Sequence, residues 1–380
     1  MLSSANTRQP CATQHASDRK MNASELFSGN YFEARQKFLR ASAACGAKLT
    51  AYRHPFAKGP AREDLFIDVA CLGPEAAATS LLVISGTHGV EGYAGSAIQT
   101  GWLQRDVANN PDLKIVLVHA LNPYGFAWNR RVTEENVDLN RNFIDRSHAL
   151  PENRDYETLC DAIAPADLED ATLDAASRAL RNYAKDHGAF AMQETISKGQ
   201  YTHPDGMYYG GRNEQWSAGT FRQIAKSHVA SSRHVAVIDI HSGLGGYGTA
   251  ELISEDFTDA PSYLRARAWW GESVASTRSG DSLSAQVFGS LDSAVPEIFA
   301  PADTTMICLE FGTSPTLEVF QALRADNWLH MIGDPEAPAA ASIKTQIRRA
   351  FYPDQDDWKQ TTWATGRKVI AQAIQGLGSL

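Results

Sequence analysis

The chain has 380 residues, of which 43% are hydrophobic and 21% are charged, and its formal net charge is −9. This length can bury a large core in one domain or two, and the composition is ordinary for a globular protein. The negative charge argues against nucleic-acid binding, because no basic stripe offsets it. No apolar run approaches the roughly 20 residues of a membrane helix, so we expect no membrane partner.

The five cysteines are scattered along the chain, and no two of them form a C-x-x-C pair. This pattern fits neither a disulfide framework nor a cysteine zinc site, and it is typical of the reducing cytoplasm. Residues 1–20 are polar and lack the hydrophobic segment of a signal peptide. We therefore expect a disordered leader over residues 1–20, with Met21 as an alternative start, and a single domain over residues 21–380.

Apolar runs and helical periodicity predict alternating helices and strands in the first part of the chain. The predicted elements are a helix over residues 31–45, strands over 65–71 and 81–84, a helix over 92–105 and a strand over 115–118. A polar loop is expected over residues 124–143. Residues 146–200, rich in Ala, Asp, Glu and Leu, are interpreted as an insertion that contains a surface helix over residues 165–185.

The second part of the chain continues the alternation of strands and helices. The predicted elements are a strand over residues 235–240, a helix over 261–278, a strand over 305–311, and helices over 316–330 and 360–376. Strands that alternate with helices predict an α/β fold with a mixed, largely parallel sheet.

The candidate chemical residues lie at or just after strand ends, where open α/β sheets bind their ligands. His88 and Glu91 follow the apolar run Leu81–Ile84, and His241 follows the strand over residues 235–240. A catalytic zinc ion keeps three protein ligands, and two histidines with one glutamate form such a set. Alone, each motif is weak, because one H-x-x-E pair is expected by chance among eleven histidines.

Glu310 lies inside the apolar segment Ile307–Thr313. A carboxylate in such surroundings is costly unless it has a partner. It is either a general base that takes a proton from activated water or one half of a salt bridge at a strand edge.

Three arginines, Arg130, Arg131 and Arg141, lie in the polar loop over residues 129–143. Guanidinium groups bind carboxylates through paired hydrogen bonds, and near a metal they can also stabilise an oxyanion. The alternative interpretation is a charged loop exposed to solvent.

Taken in chain order, H-x-x-E, Asn-Arg, a strand-borne His and a strand-borne Glu resemble the zinc metallocarboxypeptidase superfamily, over about residues 65–313. The phrases Gly-Thr-His-Gly, Asp-Leu-Asn-Arg-Asn-Phe, Asp-Ile-His-Ser-Gly and Leu-Glu-Phe-Gly-Thr are similar to a bacterial carboxypeptidase-like branch known only as a domain of unknown function. The chain is also similar to the aspartoacylase and succinylglutamate desuccinylase branch of that superfamily, which shares the Thr-His-Gly and Asp-Leu-Asn-Arg phrases.

The resemblance implies a three-layer α/β/α sandwich around a mixed, mostly parallel sheet of about eight strands. It implies that His88, Glu91 and His241 bind one zinc ion per chain, and that Glu310 is the general base. Asp138 would accept a hydrogen bond from a ligand histidine and so orient its ring.

The same resemblance implies roles in substrate binding. Asn140 and Arg141 would hold a free carboxylate of the substrate. Arg131 would polarise the scissile carbonyl, although its spacing from Asn140 is shorter than in the digestive-type carboxypeptidases, and Arg130 is the other candidate for substrate contact. A tyrosine would cover the substrate, with Tyr247 as the first candidate and Tyr208 or Tyr209 as alternatives.

We therefore expect a zinc-dependent hydrolase that cleaves an amide bond next to a free carboxylate in a small peptide. The alternative is an N-acyl amino acid deacylase of the aspartoacylase type. A binding module without catalysis is disfavoured because every catalytic position has a candidate. A serine esterase is disfavoured because the sequence has no G-x-S-x-G segment. The sequence leaves the oligomeric state open, and a homo-oligomer is compatible with it.

Overall fold

The computed structural model describes residues 22–107 and 110–380, so the expected leader over residues 1–20 lies outside the described residues. Eight strands form one mixed sheet in the order β1-β2-β4-β3-β5-β8-β6-β7. They are β1 (Lys48–Lys58), β2 (Asp64–Leu72), β3 (Thr79–Ser85), β4 (Leu113–His119), β5 (His234–Ser242), β6 (Ala250–Ser254), β7 (Val274–Ser276) and β8 (Asp303–Phe311). The β3–β4, β3–β5, β5–β8 and β6–β7 pairs are parallel and the other three are antiparallel, which confirms the predicted mixed sheet.

Helices occupy much of the remaining described chain. They are α1 (Tyr31–Ala44), α2 (Gly92–Arg105), α3 (Pro123–Ala127), α4 (Arg154–Ile163), α5 (Asp170–His187), α6 (Ala189–Ser197), α7 (Trp216–His228), α8 (Pro261–Trp270), α9 (Leu291–Ile298), α10 (Thr316–Met331), α11 (Ala340–Phe351) and α12 (Asp356–Leu377). Short 3-10 turns lie at Ala23–Leu26, Gly89–Glu91 and Leu139–Arg141. No helix among the described residues is both long enough and apolar enough to cross a membrane.

The central strands are apolar on both faces because helices cover both faces. On β3, Leu81 and Val83 pack into a cluster with α1, α2, α8 and α12. The alternate residues Leu82 and Ile84 pack on the opposite face with α7 and α9. Two apolar clusters on either side of one sheet make the three-layer α/β/α sandwich that the sequence predicted.

The segment over residues 146–200 contains three helices, α4, α5 and α6, where the sequence predicted one over residues 165–185. Their apolar side chains pack against α10 and α11 in a third cluster. Leu180 on α5 and Ile196 on α6 belong to this cluster. The segment therefore packs against the helices that follow β8, beside the carboxyl end of that strand.

The predicted helix over residues 261–278 is wrong beyond Trp270. Gly271 has a φ of +100°, which a residue with a side chain rarely adopts, and it ends α8 at that point. Residues Val274–Ser276 then form β7 at the sheet edge.

Helix α2 starts directly after Glu91 and lies close against the sheet at Gly95. A Cβ atom at Gly95 would lie 2.5 Å from the Ser85 Cβ and 3.0 Å from the Ser85 Cα. Because the second of these atoms belongs to the backbone of β3, the strand would have to shift to make room. The absence of a side chain at Gly95 therefore sets the distance between the β3 end and the helix that follows Glu91.

We expect Gly95→Ala to lower the free energy of unfolding by about 1–3 kcal/mol, because overpacking here outweighs the gain in helix propensity. Chemical denaturation would measure the change. Gly219→Ala is the matched control, since its added Cβ would meet only the flexible Glu214 side chain at 3.3 Å. It should leave the free energy of unfolding unchanged or raise it by up to about 1 kcal/mol. Equal stability of the two variants would contradict the close contact.

Candidate metal centre

The register of the parallel strands brings the candidate residues to one end of the sheet. His241 on β5 lies directly opposite Glu310 on β8. On the other side of β5, Ser85 at the end of β3 pairs with Ile240. Gly86 then takes a φ of +67°, and the chain turns sharply into the segment that carries His88 and Glu91.

Two imidazoles and one carboxylate converge at this point. The Nδ1 atom of His241 lies 3.1 Å from the Nδ1 of His88 and 3.0 Å from the Oε2 of Glu91. The Nδ1 of His88 is 3.0 Å from the Oε1 of Glu91. All three residues are almost completely buried, with 2–3% of their surface exposed. The structure thus brings together the three residues that the sequence nominated as metal ligands.

The outer nitrogen of each imidazole is held by a second carboxylate. The Nε2 of His88 lies 3.0 Å from Asp138 Oδ1, and the Nε2 of His241 lies 2.7 Å from Asp239 Oδ2. A carboxylate accepts a hydrogen bond, so each ring donates from Nε2 and turns its Nδ1 atom toward Glu91.

This donor set fits a metal ion. Two nitrogen lone pairs and a carboxylate at this separation repel one another unless a positive charge lies between them. Zinc bonds of about 2.0–2.1 Å with tetrahedral angles place ligand atoms about 3.3 Å apart. The separations of 3.0–3.1 Å are close to that value. These three residues form one of two groups among the described residues whose atoms lie near enough together to hold an ion.

The surrounding charges make the centre attractive to cations. Burial raises the pKa of Glu91, but His88 and Arg131 lower it by more, and the net pKa lies well below the usual range. Burial lowers the pKa of His241, but Asp239 and Glu91 raise it by more, and the net pKa lies well above its usual value. Glu91 is therefore ionised, and the carboxylates around His241 favour positive charge at the ring.

Asp239 was given no role by the sequence, although it lies two residues before His241 on the same strand. Residues two apart on a strand lie on the same face, so this alternation was the available signal. The Thr87 hydroxyl donates a 2.8 Å hydrogen bond to Asp239 Oδ1, which fixes the carboxylate that orients His241.

A cavity of about 780 Å³ opens onto the centre. His88, His241 and Glu310 lie at its base, and Arg131, Asn140 and Arg141 lie on its wall. Helices α5, α6 and α10 complete the enclosure. The volume suits a short peptide or another small molecule of similar size.

Glu310 is fixed by one hydrogen bond and lies beside His241. Its Oε1 accepts a 3.0 Å hydrogen bond from the main-chain N–H of Leu244. Burial and the nearby Glu91 carboxylate raise the pKa of Glu310 to about 8. A cation bound between the histidines would lower this pKa, because positive charge favours the ionised carboxylate.

Arg131 and Arg130 occupy different environments. Arg131 donates from Nη1 to Glu91 Oε1 at 2.7 Å and from Nε to Asp138 Oδ2 at 3.2 Å, so it lies at the centre. Arg130 instead donates from Nε to Asp326 and from Nη2 to Asn136. Its side chain is only 1% exposed. Buried partners therefore hold the Arg130 guanidinium, and Arg130 does not line the cavity, so its contact with substrate stays a prediction.

Asn140 and Arg141 lie side by side on the cavity wall and are partly engaged with the main chain. The Asn140 Oδ1 accepts a 2.8 Å hydrogen bond from the Leu291 N–H, which leaves its amide hydrogens to donate. Arg141 donates from Nε and Nη2 to the Ser197 carbonyl and from Nη1 to the Asn140 carbonyl. Three of its five N–H groups are used in this way, and two are left for a ligand.

The structure favours Tyr208 over Tyr247 as the aromatic group of the cavity. Tyr247 is 48% exposed and donates to Asp357, and it does not line the cavity. The structure therefore places Tyr247 outside the cavity, and its role stays a prediction. The Tyr208 ring does line the cavity, and its centroid lies 5.8 Å from the guanidinium carbon of both Arg131 and Arg141.

The family model described as "Protein of unknown function (DUF2817)" matches residues 27–365. The chain belongs to this family. A search of curated proteins finds no match.

Several solved structures are similar to this chain at low identity. One is a succinylglutamate desuccinylase from Silicibacter sp. TM1040, with 15% identity over 75% of this chain and 66% of that one, at a TM-score of 0.39. Another is bovine thrombin-activatable fibrinolysis inhibitor in complex with tick carboxypeptidase inhibitor, with 10% identity over 93% and 99% of the two chains and a TM-score of 0.47. The carboxypeptidase A of Helicoverpa armigera has 11% identity over 88% and 77%, at a TM-score of 0.45. Similarities this distant support no statement about function, which rests on the site itself.

We expect purified protein to contain about one zinc ion per chain, and His88→Ala and His241→Ala to lose it. Asp138→Asn and Asp239→Asn should weaken zinc binding about 10- to 100-fold, because each carboxylate orients and polarises one ligand ring. Elemental analysis and competition with a fluorescent chelator would measure both effects. His228→Gln is the control, since that ring contacts Tyr52 and Cys71 outside the site. Full metal content in both histidine-to-alanine variants would remove the ligand assignment.

Proposed function

We propose that this protein is a zinc-dependent hydrolase that cleaves an amide bond next to a free carboxylate. One observation supports this above the others. The Nδ1 atoms of His88 and His241 and the Glu91 carboxylate meet within 3.0–3.1 Å at the base of the cavity, and Glu310 lies beside them. A zinc ion held by this set supplies a Lewis acid that makes water acidic near neutral pH.

Glu310 is the proposed general base. The Leu244 N–H holds its Oε1, so the carboxyl group keeps one orientation while Oε2 is left to accept a proton from water. The same oxygen can then return the proton to the leaving nitrogen. Its position opposite His241 on the adjacent strand places it next to the ligand set.

Arg131 is the proposed electrostatic partner of the scissile carbonyl. Its guanidinium lies at the cavity wall and is oriented by Glu91 and Asp138, so it is positioned before a substrate binds. A fixed guanidinium stabilises negative charge that develops on a carbonyl oxygen. Asn140 and Arg141, with donors to spare, would bind the substrate carboxylate and set the position of the amide bond.

The cavity of about 780 Å³ has room for a short peptide, which is the proposed substrate. Turnover of N-blocked dipeptides compared with N-acetyl amino acids would separate a carboxypeptidase from a deacylase of the aspartoacylase type.

The four described cysteines are free, which supports the proposed cytoplasmic location.

We expect Glu310→Gln to lower kcat by about 1,000-fold or more while zinc stays bound, because the amide cannot accept the proton. Steady-state kinetics on an N-blocked dipeptide, together with metal analysis of the same sample, would measure this. Glu318→Gln is the control, since Glu318 lies in the exposed first turn of α10 and outside the lining of the cavity. Near-normal kcat in zinc-loaded Glu310→Gln would refute the general-base role.

We also expect the enzyme to discriminate between a substrate with a free carboxylate and the same substrate capped as an amide by about 100-fold in kcat/KM. Asn140→Ala should reduce this ratio about tenfold, mainly through KM, because the variant loses a donor to the carboxylate. Arg146→Lys is the control, since Arg146 donates to main-chain carbonyls and does not line the cavity. An unchanged ratio in Asn140→Ala would exclude this residue from carboxylate binding.

A further inference from the structure

A pair of carboxylates, Glu255 and Asp292, lines the cavity beyond the metal centre. Glu255 directly follows β6, and Asp292 lies in the first turn of α9. The Ser290 hydroxyl donates to Glu255 Oε2 at 2.6 Å. Asp292 Oδ2 is buried and has no hydrogen-bond partner in the described part of the chain. This end of the cavity therefore presents an unpaired acceptor to whatever occupies it.

Thr277 provides a second, independent sign of an occupant. Its side chain lines the same cavity and the residue is only 6% exposed, yet its hydroxyl has no partner among the described residues. Buried polar groups are rarely left unpaired, because each lost hydrogen bond is costly. The Thr277 hydroxyl and one Asp292 carboxylate oxygen both lack partners in the same cavity. This indicates that a polar group of a ligand forms hydrogen bonds with them.

The charge of that ligand group follows from the neighbours of the pair. Neither Glu255 nor Asp292 forms an ion pair within residues 22–107 and 110–380. Arg141 is near enough to act on Glu255, but its hydrogen bonds go to the Ser197 and Asn140 carbonyls. Arg278 donates to the main-chain carbonyl of Glu255 and not to its carboxylate. The pocket therefore has more negative than positive charge.

The pKa values of both carboxyl groups are raised, as an excess of negative charge in the pocket requires. Burial is the main cause of the raised pKa of Glu255, and the charge of Asp256 adds to it. Burial, followed by the charge of Glu255, raises the pKa of Asp292 well above its usual range. A cation in the pocket would relieve both causes, since it compensates the buried negative charge.

An organic cation fits this pocket better than a second metal ion. In the described part of the chain, the two groups of residues placed closely enough to hold an ion both contain His241, and neither contains Glu255 or Asp292. Two carboxylates and a threonine hydroxyl provide hydrogen-bond acceptors, which suits a group with several N–H donors.

We propose that this pocket binds the ammonium or guanidinium group of a substrate whose carboxylate is held by Asn140 and Arg141. The two subsites are physically joined, because the Leu291 N–H that precedes Asp292 donates to Asn140 Oδ1. The leaving part of the substrate would then be a zwitterionic amino acid with a basic side chain. This inference rests on the proposed function for the bond that is cleaved, but binding of the leaving amino acid alone tests the pocket separately.

Calorimetric titration of the zinc-loaded protein with free lysine, arginine, norleucine and glutamate tests the pocket without hydrolysis. Lysine or arginine should bind about 10- to 100-fold more tightly than norleucine, which lacks only the amino group of lysine. Asp292→Asn and Glu255→Gln should each reduce this preference to about threefold or less. Both variants keep the shape of the side chain, and thermal unfolding would verify that each is folded.

Asp256→Asn is the matched control. Asp256 lies next to Glu255 and its charge acts on both carboxylates, but its side chain does not line the cavity. The preference for lysine should therefore survive in this variant. If Asp256→Asn lost the preference for lysine to the same extent as Asp292→Asn, the preference would come from the overall negative charge of this region. This result would overturn the proposed cation pocket.

Kinetics on N-acetylglycyl-lysine and N-acetylglycyl-norleucine separate the two proposals. Hydrolysis of both peptides at equal kcat/KM, with equal binding of lysine and norleucine, would overturn the cation pocket and leave the hydrolase intact. Selective lysine binding without hydrolysis of any amide would keep the pocket and overturn the hydrolase. Tighter binding of glutamate or norleucine than of lysine would overturn the pocket directly.

Discussion

The convergence of two imidazole nitrogens and one carboxylate within 3.0–3.1 Å is the constraint on which the rest of the site depends. Such an arrangement is unfavourable unless something positive compensates it, since burial removes the screening of water. The protein adds further negative charge around the centre through Asp138 and Asp239. These carboxylates fix the ring tautomers and also raise the affinity for a cation. The network is therefore built for charge compensation, with Arg131 as the cation that the chain itself provides.

The sheet holds these groups in place because each comes from the same end of a different strand. The parallel pairing of β3, β5 and β8 aligns their carboxyl ends, so short turns are enough to bring the side chains together. Gly95 lets α2 approach the β3 backbone, which limits how far the turn with His88 and Glu91 can move. The long separation along the chain between Glu91 and His241 thus has no effect on the precision of the site. The apolar clusters on both faces of the sheet provide the rigidity.

How much the sequence could predict depended on burial. The strands around 81–84 and 235–240 are apolar on both faces, and this continuous pattern identifies a central strand. The edge strand β1 was missed because most of its residues are exposed or half-buried, and β6, the short strand beside the other edge, was missed because only its last two residues are buried. Helix α11 was missed as well. The two histidines of the candidate metal centre, His88 and His241, could be nominated from their positions after strands. Arg130 and Arg131 could not be separated in that way, since neighbouring residues in a loop can face entirely different partners. The sequence likewise could not show that Tyr247 lies outside the cavity and Tyr208 lines it.

The helices over residues 146–200 connect the apolar side of the cavity with its acidic end. Helices α5 and α6 line one wall of the cavity and present apolar groups such as Leu180 and Ile196 to it. On α6, Gln193 donates to the main-chain carbonyl of Leu283. The loop that contains Leu283 continues to Ser290, whose hydroxyl donates to Glu255. The wall formed by the insertion is thereby tied to the acidic end of the cavity. This wall, the candidate metal centre and the acidic pair line one space, which would hold a short zwitterionic molecule of the proposed kind between its charged ends. In the proposed function, the helical segment would shape the space for the substrate, while the candidate chemical groups come from the ends of the strands and the turns that follow them.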